Sequence, residues 1–100
     1  MIRHLVLWRL KEEALGAKKE ENAQKMKTLL EALPEKISVI RELSVGFNVV
    51  EAPANYEVVL NSLFQSLEDL NAYIVHPEHQ KVGEFVRQVV AERASIDYEE

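Results

Sequence analysis

A tyrosine and a histidine six positions apart are the residues in this 100-residue chain best suited to chemistry. They bound the stretch Tyr73-Ile74-Val75-His76-Pro77-Glu78-His79. Histidine has a free pKa of about 6.5 and exchanges protons at neutral pH. Tyrosine can orient an imidazole or donate a hydrogen bond to a carbonyl oxygen. The pair therefore indicates acid/base chemistry, provided that the fold brings both side chains to one place.

Helical spacing predicts that both side chains point toward the core. His79 precedes Val82 by three positions and Val86 by seven, so it shares their apolar helix face. Tyr73 follows Leu70 by three positions and faces inward for the same reason. These two helices must therefore cover a common apolar space.

The first strand supplies the opposite wall of that space. Its even positions include His4, Val6 and Trp8, which strand alternation places on one side of a sheet. A mostly apolar space with few polar groups is typical of a small-molecule site. The predicted pocket has His79 and Tyr73 as catalytic residues, and His4, Val6, Trp8, Leu60, Val82 and Val86 as substrate-binding residues.

Structural interpretations of the same residues stay open. An inward-facing histidine often bonds only to a backbone carbonyl, and a buried tyrosine needs only one hydrogen-bond partner. His76 precedes Pro77 and could cap the helix that this proline begins. His76 and His79 lack a dependable third ligand, so no metal site is predicted, and no cofactor either.

Composition excludes several classes of function. The net charge of −5 argues against sequence-independent nucleic-acid binding, which needs clustered Lys and Arg. The absence of cysteine excludes disulfides and thiolate chemistry. No basic amphipathic stretch, signal peptide or membrane-spanning run is recognisable, so we expect a cytoplasmic protein without a membrane partner.

The apolar pattern predicts a single α+β domain over residues 1–100. Strands are expected at Ile2–Leu10, Ile37–Val50 with a bulge or close approach at Gly46, Tyr56–Phe64 and Ala94–Tyr98. Helices are expected between Lys19 and Pro34, after an N-cap at Ser66, and from Pro77. The resulting β-α-β-β-α-β order is that of a ferredoxin-like fold, an antiparallel sheet with helices on one face.

The sheet is predicted to have a second apolar face. Leu5 and Leu7 lie at odd positions of the first strand, and Val59 and Leu63 add to the same pattern in the third. No segment remains to cover this face within one chain, so a homodimer through the open sheet face is expected.

Together these residues resemble the stress-responsive A/B barrel (Dabb) domain family over essentially the whole chain. The resemblance rests on His4-Leu5-Val6-Leu7, Val45-Gly46-Phe47-Asn48, Tyr73 with His76-Pro77-Glu78-His79, and Ile96-Asp97-Tyr98. It implies a dimeric α/β barrel and, by similarity to a polyketide-cyclase-type member, aldol ring closure. On that basis His79 acts as general base, Tyr73 as its partner and His4 as a polar wall. Trp8 departs from the smaller residues common in the family, which implies a narrower cavity.

Two hypotheses follow. The first is a homodimeric Dabb protein whose pocket takes a small, largely apolar carbonyl compound. The second is a non-catalytic, stress-related protein whose role is stable assembly or ligand sequestration. Cofactor-free oxygen chemistry, as in some related barrels, is a third possibility.

Overall fold

A four-stranded sheet with helices on one face forms the protein. The computed structural model describes all 100 residues, Met1–Glu100. The elements in chain order are β1 Ile2–Leu10, β2 Glu13–Ala14, β3 Ala17–Lys18, α1 Lys19–Glu31, a 3-10 turn Leu33–Glu35, β4 Ile40–Phe47, β5 Val58–Phe64, α2 Leu67–Val75, α3 Pro77–Val89 and β6 Val90–Glu99. The α+β class and the predicted element order are confirmed, with a small β2–β3 hairpin added.

The strands of the main sheet are arranged in the order β4-β5-β1-β6, and every neighbouring pair is antiparallel. β1 therefore lies inside the sheet and forms hydrogen bonds on both edges. Its register places His4 opposite Ser62 of β5 and Asp97 of β6. No helix of the protein is both long enough and apolar enough to span a bilayer.

β4, the strand predicted over Ile37–Val50, is shorter than its apolar pattern predicts. It begins only at Ile40, because the 3-10 turn Leu33–Glu35, with Pro34 as its second residue, separates α1 from the sheet. It ends at Phe47, after which the Asn48 side chain bonds to the backbone of Val50 and closes a polar loop. Of the two alternatives expected at Gly46, the bulge is wrong, since Gly46 pairs regularly with Val59 and the irregularity lies between Ile40 and Glu42. As for a close approach, a Cβ atom at this position would lie 3.4 Å from Cγ1 of Val59, an ordinary contact distance.

The core lies between the helices and one face of the sheet. Every even-numbered side chain of β1 is buried there, whereas the odd-numbered ones are half-buried on the opposite face. Met26 and Leu30 of α1, Tyr73 of α2, and Val86 and Val89 of α3 cover this side. The side chains that could form a site therefore come from β1 and from the helices above it.

The opposite face of the sheet carries apolar side chains without a helical cover. Leu5 and Leu7 of β1 are half-buried, and Val59 of β5 lies beside them. On β6, Ile96 is 56% exposed and Tyr98 is 43% exposed. The two-faced sheet predicted from the strand pattern is thus present.

Two caps hold the helices that carry Tyr73 and His79. The Ser66 hydroxyl accepts a hydrogen bond from the backbone N–H of Asp69, 3.1 Å away, at the start of α2. The His76 ring accepts one from the backbone N–H of Glu78, also 3.1 Å away, at the start of α3. Pro77 occupies the first position of α3, where its missing N–H costs nothing. Both predicted helix starts are confirmed.

Removing the Ser66 cap should destabilise the fold. We expect Ser66→Ala to lower the free energy of unfolding by about 1 kcal/mol, because the Asp69 N–H loses its partner. Urea unfolding followed by circular dichroism measures this. The control Ser38→Ala removes an exposed hydroxyl from a turn that is not a helix cap, and an equal loss there would contradict the assignment.

Candidate functional site

A cavity of about 440 Å³ opens between the sheet and the last two helices. This volume lies in the range of small-molecule sites, roughly 300–1,000 Å³. All eight residues predicted to form the site border it: His4, Val6, Trp8, Leu60, Tyr73, His79, Val82 and Val86. The fold thus brings these side chains together, while their functional roles stay predictions.

Tyr73 lies in the helical wall of the site with an unsatisfied hydroxyl. Its side chain is fully buried, and its hydroxyl oxygen has no hydrogen-bond partner in the protein. A buried polar group without a partner costs about 1–3 kcal/mol, so native proteins rarely leave one. Burial also raises the pKa of the Tyr73 phenol above its ordinary value, which keeps the group protonated. The hydroxyl is therefore a donor without an acceptor.

The ring of His79 packs against Tyr73, with centroids 4.4 Å apart. Its Nδ1 lies 3.0 Å from the carbonyl oxygen of Ile74. Because a carbonyl only accepts, Nδ1 carries the proton and Nε2 is the free, basic nitrogen of the neutral ring. The break between α2 and α3 makes this bond possible, since it lets the ring reach back to the end of α2.

The surroundings of His79 favour its neutral form. Burial of the ring lowers its pKa, while the hydrogen bond to Ile74 acts in the opposite direction. The charges of His4, Arg87 and Arg93 lower the pKa further. At neutral pH the ring is therefore poised to accept a proton, as a general base must.

His4 borders the same cavity from the sheet side. Its ring centroid lies 6.2 Å from that of Tyr73, so Tyr73 has an imidazole from each side of the cavity, His4 and His79, as a neighbour. The His4 Nδ1 donates to the Asp97 carboxylate on β6, which fixes the ring orientation and leaves Nε2 as the other polar atom. Ser62 donates to the His4 carbonyl oxygen at 3.0 Å and holds the backbone in place.

Sequence reasoning missed four charged residues at this site. Asp97 entered only through the family resemblance, although strand pairing places it opposite His4. Arg87 of α3 and both Glu92 and Arg93 of β6 border the cavity, whereas Asp97 contacts it only through His4. A charged residue near the end of an amphipathic helix or on an edge strand ordinarily indicates solvent, so the pattern gave no signal for either arginine.

His76 does not border the cavity and caps α3, as the structural interpretation proposed. No three His, Asp or Glu side chains come together in a way that could hold a metal ion.

The fold and the cavity define a class of protein: ferredoxin-like α+β proteins with a mostly apolar site between helices and sheet. Within that class, the chain belongs to the Stress responsive A/B Barrel Domain family, whose model matches residues 2–100. The resemblance stated from His4, Tyr73 and the His-Pro-x-His element is confirmed.

Several known proteins are similar to this chain. Olivetolic acid cyclase of Cannabis sativa is 25% identical over 99 residues, which cover 97% of this chain and 94% of that protein. An uncharacterized protein of Streptomyces coelicolor is 31% identical over 80 residues, covering 80% of each. The crystal structure of a dimeric protein of unknown function and ferredoxin-like fold from Bacteroides fragilis matches with a TM-score of 0.82 and 36% identity, covering 98% of this chain and 94% of that chain.

The lowered pKa of His79 should make stability depend on pH. Below its ordinary pKa the unfolded chain binds a proton that the folded chain releases, so stability rises with pH in this range and is lost as pH falls. We expect His79→Gln to flatten the dependence of the unfolding free energy on pH below about pH 6.5, the ordinary histidine pKa. Gln80→Ala is the matched control, because Gln80 bonds to the same Ile74 carbonyl but does not titrate. An unchanged slope in His79→Gln would contradict the assignment.

Proposed function

We propose that the cavity performs acid/base chemistry on a small, largely apolar carbonyl compound. In this proposal His79 removes a proton from the carbon next to the carbonyl group. Tyr73 donates a hydrogen bond to the carbonyl oxygen, and His4 forms a polar wall. Val6, Trp8, Leu60, Val82 and Val86 hold the apolar remainder of the substrate.

The unpartnered hydroxyl of Tyr73 is the observation that carries this proposal. The group is protonated, buried and without an acceptor in the protein. A substrate carbonyl oxygen supplies the missing acceptor, and the bond strengthens as negative charge develops on that oxygen. In an apolar cavity this stabilisation is larger than in water.

The tautomer of His79 with its proton on Nδ1 leaves Nε2 free to take the proton from the substrate carbon. The Nε2 lone pair takes the proton from carbon, which leaves an imidazolium whose Nδ1–H still donates to Ile74. The electron pair of the broken C–H bond moves into an enolate whose oxygen accepts from Tyr73. The enolate carbon then attacks a second carbonyl group of the same molecule, and the imidazolium returns its proton to the new alkoxide. This is aldol ring closure, and the similarity to olivetolic acid cyclase supports it.

We also propose that the protein works as a homodimer that joins through the open sheet face. The uncovered apolar side chains of β1, β5 and β6 support this, because their burial contributes about 25 cal/mol per Å² before association costs. The similar Bacteroides fragilis structure, at 36% identity, is described as dimeric.

A non-catalytic, ligand-sequestering role is the second candidate. The hydrogen bond between His79 and Ile74 favours it, because the same bond ties the start of α3 to the end of α2. In that case the ring serves the fold, and the cavity only stores an apolar molecule.

Proton exchange from carbon separates the two candidates. We expect the wild type to catalyse deuterium exchange at the α-carbon of 2-nonanone in D2O, followed by NMR. His79→Gln and Tyr73→Phe should each slow this exchange by about 100-fold or more, with the dimer intact. Gln80→Ala should retain the rate. Exchange no faster than in buffer, or equal rates in all variants, would refute the catalytic proposal.

The dimer proposal has its own test. Leu7→Glu places a charge on the open face and should convert the dimer to a monomer in sedimentation velocity experiments. Val49→Glu is the control, because Val49 is 94% exposed in the loop after β4 and lies outside that face. A monomeric wild type, or a Leu7→Glu protein that stays dimeric, would overturn the proposal.

A further inference from the structure

Two guanidinium groups border the cavity from different elements. Arg87 projects from the last turns of α3, and Arg93 from the start of β6. Both side chains are exposed. Arg93 lies opposite Trp8 in the register of β1 and β6, whereas Tyr73 packs beside His4, so the cationic pair and Tyr73 mark two ends of the cavity. The polar groups of this apolar cavity are therefore of two kinds, a titratable pair and a cationic pair.

Neither arginine is neutralised by the protein. Arg3 pairs with Glu42 and Glu100, and Arg9 pairs with Glu92. Arg87 has no hydrogen-bond or ion-pair partner, and Arg93 donates only to the Ser95 hydroxyl at 3.2 Å. Arg41 also lacks a carboxylate partner, but it bonds to Gln65 outside the cavity, so Arg87 and Arg93 are the unpaired guanidiniums that border the cavity.

One carboxylate borders this end of the cavity, and it has another partner. Glu92 forms its ion pair with Arg9, at 3.4 Å. Asp97 lies toward the other end, opposite His4 in the register of β1 and β6, and accepts from the His4 ring. The local charge at this end of the cavity is therefore positive.

Gly83 leaves room for the Arg87 guanidinium to lie across the surface of α3. Gly83 also borders the cavity, and a Cβ atom at this position would lie 3.1 Å from Nη1 of Arg87. The absence of a side chain leaves room for the Arg87 guanidinium over the surface of α3. A larger residue at position 83 would force it to move.

We propose that the ligand of this cavity carries an oxyanion, a carboxylate or a phosphate, which Arg87 and Arg93 bind, and an apolar body that enters between the helices and the sheet. The guanidinium group fits both oxyanions, because its planar N–H donors match their oxygens in pairs. The proposal rests on the proposed function in one respect, that the same molecule presents its carbonyl group to Tyr73. It then names the substrate class as an apolar carbonyl compound with an acidic group.

The placement of the cationic pair also predicts an orientation. The anionic group stays at the exposed end, where water completes its hydration, and the apolar chain with its carbonyl lies deeper. A neutral compound of the same length lacks this anchor and binds more weakly.

Isothermal titration with three probes of equal chain length tests the charge preference. We expect octanoate or octyl phosphate to bind the wild type about ten-fold more tightly than 1-octanol. Whichever anion binds more tightly identifies the carboxylate or the phosphate as the preferred group. Equal affinities for the anions and the alcohol would overturn the proposal.

Paired variants locate the preference. In Arg87→Gln/Arg93→Gln the anions and the alcohol should bind equally, with the affinity for 1-octanol unchanged. Arg41→Gln is the matched control, since Arg41 bonds to Gln65 outside the cavity and its loss should leave the preference intact. A preference that survives in the double variant would refute the assignment.

A salt titration of the wild type gives a second readout without any substitution. Raising the salt from about 20 mM to 300 mM should weaken binding of the anions and leave 1-octanol unaffected. Binding and deuterium exchange are separate measurements, so the two proposals fail separately. An anion preference without exchange would refute the catalytic function alone, and exchange without an anion preference would refute the oxyanion site alone.

Discussion

The position of β1 inside the sheet is the constraint on which the rest of the structure depends. Because β1 pairs with β5 on one edge and β6 on the other, its register fixes both neighbours at once. That register sets His4 against Asp97 and Val6 against Leu60, and so builds the floor of the cavity in one step. A shift by one residue would turn His4, Val6 and Trp8 to the opposite face and abolish the site.

The roof of the cavity depends on the interruption between α2 and α3. A continuous helix would hold Tyr73 and His79 at a fixed angle, and would engage the Ile74 carbonyl in its own backbone ladder. Pro77 disfavours helical geometry at His76, so the chain bends there. The Glu78 N–H, which a continuous helix would direct to the Ile74 carbonyl, donates to the His76 ring, and the His79 ring takes that carbonyl instead. The hydrogen bond from His79 to the Ile74 carbonyl also fixes the proton on Nδ1 of His79. The bend between the helices and the basicity of Nε2 therefore depend on the same bond.

Apolar periodicity made the fold and half of the site predictable. The alternation in β1 and the three- and four-residue spacing in α2 and α3 sufficed to bring His4, Tyr73 and His79 to one cavity. The pattern did not predict Asp97, Arg87 and Arg93 as part of the site, because a charged residue gives the same pattern whether it faces solvent or the end of a cavity. The early end of β4 was not predicted either, because it depends on bonds between the Asn48 side chain and the Val50 backbone, and such bonds have no periodic pattern in the sequence.

The alternation of β1 also separates the positions at which mutations affect the cavity from those at which they affect the uncovered face. Even-numbered positions shape the cavity, and odd-numbered positions shape the uncovered face, with a single sheet between them. Substitutions on the two faces share no side-chain contacts, so their effects should be close to additive. Ligand preference can therefore change in evolution through the even-numbered positions, while the odd-numbered positions stay under a different selection.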